Sequence, residues 1–123
     1  NPDPQAVIDQ IEAAMQRVTA GYVSPSIRDA DMNGVHIQKG DTIGIIEKEI
    51  VVSEADMMTA ATMLAVQLME DPDKFMLTVF SGKDATDEDR VALTRNLEES
   101  CPSAEIYFIE GGQDIYPFIF VAE

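Results

Sequence analysis

One cysteine, one histidine, no tryptophan and only eight basic residues are what this chain has least of. A lone thiol, Cys101, cannot build an intramolecular disulfide framework, which fits a reducing, cytoplasmic setting. Eight Lys and Arg against 23 Asp and Glu leave a formal charge of −15, which repels phosphate backbones and anionic lipid surfaces. Nucleic acid is thereby excluded as a partner. No run approaches the roughly 20 apolar residues of a membrane span, so direct membrane insertion is excluded as well. There is no Cys/His cluster, and no pair of carboxylates shows metal-ligand spacing. Cys101 lies at a helix carboxy terminus, without the positive surroundings that activate a thiol, and His36 has no orienting partner at any local spacing. Neither reads as a nucleophile or a base, and no catalytic residue or metal site is assigned.

What is present is a globular composition, 46% hydrophobic over 123 residues, sufficient for a core without staples. The chain opens Asn1-Pro2-Asp3-Pro4 and passes straight into a helical pattern, which reads as a cut within a longer chain. Val7, Ile11, Ala14, Met15 and Val18 recur at helical spacing, so residues 5–19 are expected as a helix that Gly21 ends. Residues 1–20 are thus an amino-terminal connector helix and 21–123 a single α+β domain. Tyr22 to Ala30 follows as an extended segment; Pro25 suits it to an edge strand. Arg28 and Asp29 fall on it.

Asn33-Gly34 is a strong hairpin signal between two short strands, and His36, alternating with Val35 and Ile37, should face solvent. Thr42 to Ile46 and Ile50 to Val52 form a second hairpin around Glu47-Lys48-Glu49. Ser53-Glu54-Ala55-Asp56 reads as a capping box opening a helix to about Glu70. Met57, Ala61, Leu64 and Leu68 give that helix a buried stripe. Met58, Ala65, Val66 and Met69 carry apolar character further round, through burial on two sides or through a methionine-rich face that repacks against a partner, with Met58, Val66 and Met69 as the candidate partner face.

Phe75 to Phe80 is a nearly continuous apolar run, expected as a central strand covered on both faces. Thr86-Asp87-Glu88-Asp89 is a second capping box, and its helix should carry Val91, Leu93 and Leu97 inward. Ser81-Gly82-Lys83 lacks the spacing of a phosphate loop. The chain closes on two apolar runs, Ile106 to Ile109 and Phe118 to Val121, read as a strand, a loop and a returning antiparallel strand. The loop between them carries Gly111, Gly112, Gln113, Asp114 and Tyr116, polar groups on a rigid support, and is either a plain turn or a binding loop. The fold class is therefore α+β: a mixed sheet with antiparallel hairpins in the first half, two β-α-β crossovers, a closing antiparallel strand, and helices packed on the sheet.

Four ordered motifs are Ser26-Ile27-Arg28-Asp29-Ala30, the stretch from Asn33 to Ile45, Phe80-Ser81-Gly82-Lys83-Asp84-Ala85-Thr86-Asp87-Glu88, and Gly111-Gly112-Gln113-Asp114-Ile115-Tyr116-Pro117-Phe118-Ile119. In that order and spacing they resemble the carboxy-terminal region of the kinase subunit of bacterial fatty acid kinase, a dihydroxyacetone kinase-like family. The resemblance spans nearly the whole chain. It implies that the full protein transfers phosphate from ATP to a fatty acid carried by a separate fatty-acid-binding protein, with ATP and magnesium held by an amino-terminal domain absent here. This region would then be non-catalytic and without a cofactor of its own, docking that partner or assembling the kinase, a homodimer included. One departure is the Glu47-Lys48-Glu49 turn, where relatives commonly carry glycine. The residues alone leave Arg28, Asp29, Gly111, Gly112, Gln113, Asp114 and Tyr116 as binding candidates. The rival reading is a small-ligand-sensing regulatory domain of a dihydroxyacetone kinase-like protein, its ligand enclosed by the double-glycine loop and His36.

Overall fold

The computed structural model describes residues 3–6, 8, 9, 17–32 and 34–123. Its centre is a six-stranded mixed sheet, whose strands in chain order are β1 (Thr19–Pro25), β4 (Thr42–Ile46), β5 (Glu49–Glu54), β6 (Met76–Ser81), β7 (Glu105–Glu110) and β8 (Phe118–Ala122). Across the sheet they lie in the order β5-β4-β1-β8-β6-β7. A separate two-stranded ribbon is made by β2 (Ala30–Met32) and β3 (Val35–Ile37), which flank the hairpin signal of the sequence and set Asp31 opposite His36. The helices are α1 (Met57–Leu68) and α2 (Asp87–Ser100). Pro4 to Ala6, Ile8 and Asp9 are also helical, while Val7, Ile11, Ala14 and Met15 of the expected connector stripe lie outside the described residues.

Alternation turns one side of the six-stranded sheet toward the helices, with α1 lying over β5, β4, β1 and β8 and packing on α2. Val23, Val52, Leu77, Val79, Phe118, Phe120 and Ala122 point to that side and join Ala60, Ala61, Leu64, Ala65 and Leu68 of α1 and Leu93 and Leu97 of α2 in one core. α1 sits close because Gly21 and Gly44 face it: a Cβ on Gly44 would lie 3.1 Å from Val52 Cβ and 3.2 Å from Leu64 Cδ1. The second buried side of α1 is α2, which Asn96 Nδ2 ties to it by donating to Thr62 Oγ1 at 3.2 Å.

Several expectations are corrected. Thr19 and Gly21 belong to β1, not to a helix and its stop, because each pairs with β8, Thr19 with Ala122 and Gly21 with Phe120. β1 is an inner strand. Pro25 is tolerated because β8 pairs only as far as Tyr22, so the missing N–H falls beyond that ladder. Arg28 and Asp29 lie in the loop after β1 rather than on a strand. Ser53 is in β5, and the amino cap of α1 is Asp56, whose carboxylate accepts from Thr59 N at 2.9 Å and Thr59 Oγ1 at 2.8 Å. The helix stops at Leu68, short of Glu70. By contrast Thr86 and Asp89 form the expected capping box of α2.

Val91 is 58% exposed, since it stands about 200° round the helix from Leu93, which together with Leu97 forms the inward stripe. β6 is covered on one face: Leu77 and Val79 are buried, whereas Met76, Thr78 and Phe80 are half-buried on a side that, among the described residues, no helix covers. The first crossover joins strands of the same direction, β5 and β6, that are not neighbours; the second gives the parallel pair β6 and β7. β8 runs opposite to β7 as expected but does not return beside it. It enters the middle of the sheet, antiparallel to both β1 and β6.

Candidate functional site

Because β8 is threaded between β1 and β6, residues 111–117 must cross over the end of β6. That crossing builds a braced corner. Gly111 N and Gly112 N donate to Ser81 O at 2.9 and 3.1 Å, Gly82 N donates to Pro117 O at 2.7 Å, and Lys83 N donates to Gln113 O at 3.1 Å. The Gln113 amide donates to both Phe80 O (2.9 Å) and Tyr116 O (3.1 Å), so its nitrogen is spent on the main chain. Lys83 Nζ lies 2.8 Å from Asp114 Oδ1, an exposed pair that adds little. The Tyr116 ring meets Tyr22 edge to face, with centroids 4.7 Å apart. Of the loop residues picked out from the sequence, Gln113 and Tyr116 therefore serve as braces, and Gly111, Gly112 and Asp114 remain exposed at the surface.

What the corner presents outward is Ile115. It is 69% exposed and held at φ 69°, a left-handed conformation that a β-branched side chain resists. Such a residue costs about 1–3 kcal/mol and persists where the surroundings over-determine it. Beside it opens a cleft of about 250 Å³ lined by Pro25, Thr42, Met57, Asp84, Gln113, Ile115, Tyr116 and Pro117. Ile27, just past the end of β1, is 84% exposed. Neither isoleucine is among the binding candidates that the sequence suggests, although an apolar residue between Asp114 and Tyr116 in an otherwise polar loop is the available signal.

Arg28 and Asp29 follow Ile27. The Asp29 carboxylate accepts from Lys39 N at 2.8 Å and Ser26 Oγ donates to Arg28 O at 2.8 Å, contacts that fold the loop against the turn after β3. Among the described residues no carboxylate lies within ion-pair distance of Arg28. No hydrogen bond or ion pair joins Arg28 or Asp29 to the Gln113–Tyr116 loop. Met58 and Met69 pack at the rim of the core, and Val66 and Met69 line a separate cleft with Phe75 and Cys101, at the other end of α1 from Met57. The three do not form one face with the corner.

Two titrating groups stand apart from it. His36 Nδ1 lies 2.7 Å from Asp31 Oδ1 on the exposed ribbon, and this hydrogen bond, with the carboxylate's charge, raises the imidazole pKa. His36 faces solvent as its alternation implies. Burial pushes the Cys101 thiol up, the reverse of what a nucleophile needs. Among the described residues no three His, Cys, Asp or Glu side chains converge as metal ligands, and no helix is long and apolar enough to cross a membrane.

Comparison with known proteins supplies the class. The FakA-like C-terminal family of fatty acid kinase subunits matches residues 1–123, and the chain belongs to that family. Protein YloV of Bacillus subtilis strain 168 is 32% identical over 125 residues, covering 100% of this chain and 22% of that protein. An uncharacterized protein of Staphylococcus aureus strain MRSA252 is 34% identical over 125 residues, covering 98% and 23% respectively. The chain thus spans less than a quarter of the length of these relatives. Among solved structures, the Fatty Acid Kinase (Fak) B3 protein of Streptococcus pneumoniae, loaded with linoleic acid, superposes with a TM-score of 0.64 over 99% of this chain and 50% of its own, at 12% identity. At that identity the likeness is one of fold. The motif-based resemblance to the kinase subunit is borne out, and a fatty-acid-kinase-related role follows from the family.

Proposed function

We propose that this chain is a non-catalytic docking module, which holds a fatty-acid-binding partner protein to a longer kinase subunit. The residues before β1 connect it to the rest of that subunit, where ATP and magnesium act. The observation that carries the reading is Ile115, exposed and conformationally strained on a braced corner, with Ile27 exposed at the same end of the sheet. Rigid corners that present apolar anchors bind at low entropic cost. The family supports the choice of partner, because a kinase subunit whose substrate is carried on another protein needs a surface for it. The small-ligand reading finds less support: the cleft beside Ile115, about 250 Å³, is below the usual range for ligand pockets, and His36 stands on a separate ribbon.

The test is calorimetric titration of the full-length kinase subunit with its fatty-acid-loaded binding protein at moderate salt. Ile115→Asn should weaken binding at least about tenfold, an anchor-sized loss, and Ile27→Ser should weaken it in the same direction. Undiminished binding by both variants would sink the proposal. ATP binding by the isolated chain would count against its non-catalytic assignment.

A further inference from the structure

The cleft beside Ile115 is small, and its lining is chemically one-sided. Pro25, Met57 and Pro117 give it apolar walls, and the Tyr116 ring, set edge to face against Tyr22, gives it an aromatic one. Gln113 spends both N–H groups of its amide on Phe80 O and Tyr116 O, so the lining keeps no free side-chain N–H. What it offers instead are acceptors. Asp84 is exposed, and among the described residues no cation lies within ion-pair distance of its carboxylate. Lys83, its neighbour in the chain, turns to Asp114. Thr42, opposite Pro25 at the end of the β1–β4 ladder, is only 9% exposed, and among the described residues its hydroxyl has no hydrogen-bond partner. No fully enclosed side-chain polar atom there is left unpaired, so that hydroxyl opens into the cleft. The lining includes no basic residue.

We infer that this cleft takes one arginine side chain of the fatty-acid-binding partner. The inference rests on the docking reading and extends it, from an apolar anchor to the charged group seated beside it. A volume of about 250 Å³ is below the usual range for a ligand and suits a single side chain. The aliphatic stem of an arginine lies along Met57 and the two prolines. Its planar head stacks on Tyr116 and gives two parallel N–H bonds to the Asp84 carboxylate, with the Thr42 hydroxyl as a further acceptor. The charge of the whole chain, −15, draws such a group in and selects against an acidic one. The positive amino end of α1, beside Met57, would oppose a cation, but the Asp56 carboxylate caps it. Ile115 lines the same cleft, so anchor and pocket form one continuous surface that fixes the partner's orientation as well as its affinity.

Calorimetric titration of the full-length kinase subunit with its fatty-acid-loaded binding protein, at about 0.05 M and about 0.5 M salt, tests the inference. Asp84→Asn should weaken binding at least about tenfold at the lower salt and by a smaller factor at the higher, where screening has already weakened the native pair. Thr42→Val removes the hydroxyl and keeps a β-branched strand residue, so it should weaken binding about threefold with an unchanged or higher melting temperature. Acetylating the lysines of the binding protein should leave the effect of Asp84→Asn in place; an effect that vanishes with them puts a lysine in the cleft and overturns the assignment. Asp84 is exposed, and an unchanged thermal transition confirms that its variant is folded. If Ile115→Asn weakens binding while Asp84→Asn and Thr42→Val do not, this inference is overturned and the docking reading stands. If Ile115→Asn and Ile27→Ser are without effect as well, both fail. A loss on Asp84→Asn that is equal at the two salts also overturns the inference, since an ion pair must respond to screening.

Discussion

A side chain at position 82 and the carbonyl of Tyr116 cannot occupy the same structure. A Cβ on Gly82 would lie 2.5 Å from Tyr116 O and 3.0 Å from Gln113 O, both main-chain atoms of the crossing loop. The loop comes this close because Gly82 N donates to Pro117 O, which fixes the start of β8. Gly82→Ala should therefore push the corner away and cost about 1–3 kcal/mol, as overpacking does. Urea unfolding monitored by circular dichroism measures it, and a loss below about 0.3 kcal/mol would mean the loop yields freely.

Ile115 sets stability against binding. At φ 69° an asparagine or glycine is relieved of most of the strain that the β-branched side chain bears, and so little of Ile115 is buried that its removal forfeits little packing. Ile115→Gly should leave the fold unchanged or up to about 1 kcal/mol more stable while weakening attachment of the fatty-acid-binding partner. A variant that loses stability and binding together would instead make Ile115 part of the scaffold.

The boundary of α1 shows what the sequence could and could not yield. Ser53 and Asp56 have the spacing of a capping box, but the pattern is indifferent to whether Ser53 is already committed to a strand. Here Ser53 pairs with Ile43 and its hydroxyl donates to Asp41 Oδ2 at 3.0 Å, so the cap moves to Asp56. Local signals were legible where nothing long-range competed, as at the β2–β3 hairpin and at Thr86 to Asp89. Likewise the directions of β6, β7 and β8 could be read from connection lengths, while the insertion of β8 between β1 and β6 could not, because neighbours in a sheet are chosen by burial across the whole chain. In the candidate site the loop was legible as a segment, yet its roles were exchanged: Gln113 turned inward as a brace and Ile115 outward. Asp56→Ala should cost about 1 kcal/mol by loss of the cap, clearly more than Glu54→Ala, and chemical denaturation of the two separates the cap from its neighbour.

The ribbon offers a pH test. Hydrogen bonding to Asp31 raises the His36 pKa above its ordinary 6.5, so the protonated form is favoured in the folded state. The contribution is then fully present below the unfolded value and is lost as pH rises through the folded one. NMR titration of His36 should give a value above 6.5, and Asp31→Asn should bring it down. An unmoved titration in the variant would show that the pair is not maintained in solution. Since both side chains are exposed, the change should be confined to β2 and β3 and leave the corner at Ile115 untouched.

The turn between β4 and β5 is the clearest place where this chain can be improved. Glu47 and Lys48 stand at φ 50° and 72°, the paired left-handed conformations of a two-residue turn whose twist matches its strands. Neither is a residue that adopts them readily; asparagine and glycine do. The ladder nonetheless holds, with Ile46 opposite Glu49 and Ile45 opposite Ile50, so the strands impose the turn rather than the reverse. Replacing Lys48 by glycine removes the steric penalty at the more positive φ, partly offset by the greater freedom of glycine in the unfolded chain. Lys48→Gly should raise the melting temperature by a net gain of about 0.5–1 kcal/mol, and Glu47→Asn together with Lys48→Gly should raise it further. Scanning calorimetry at matched salt reads both. A fall in melting temperature would mean that Lys48 contributes, through its charge in so acidic a chain, more than its backbone conformation costs.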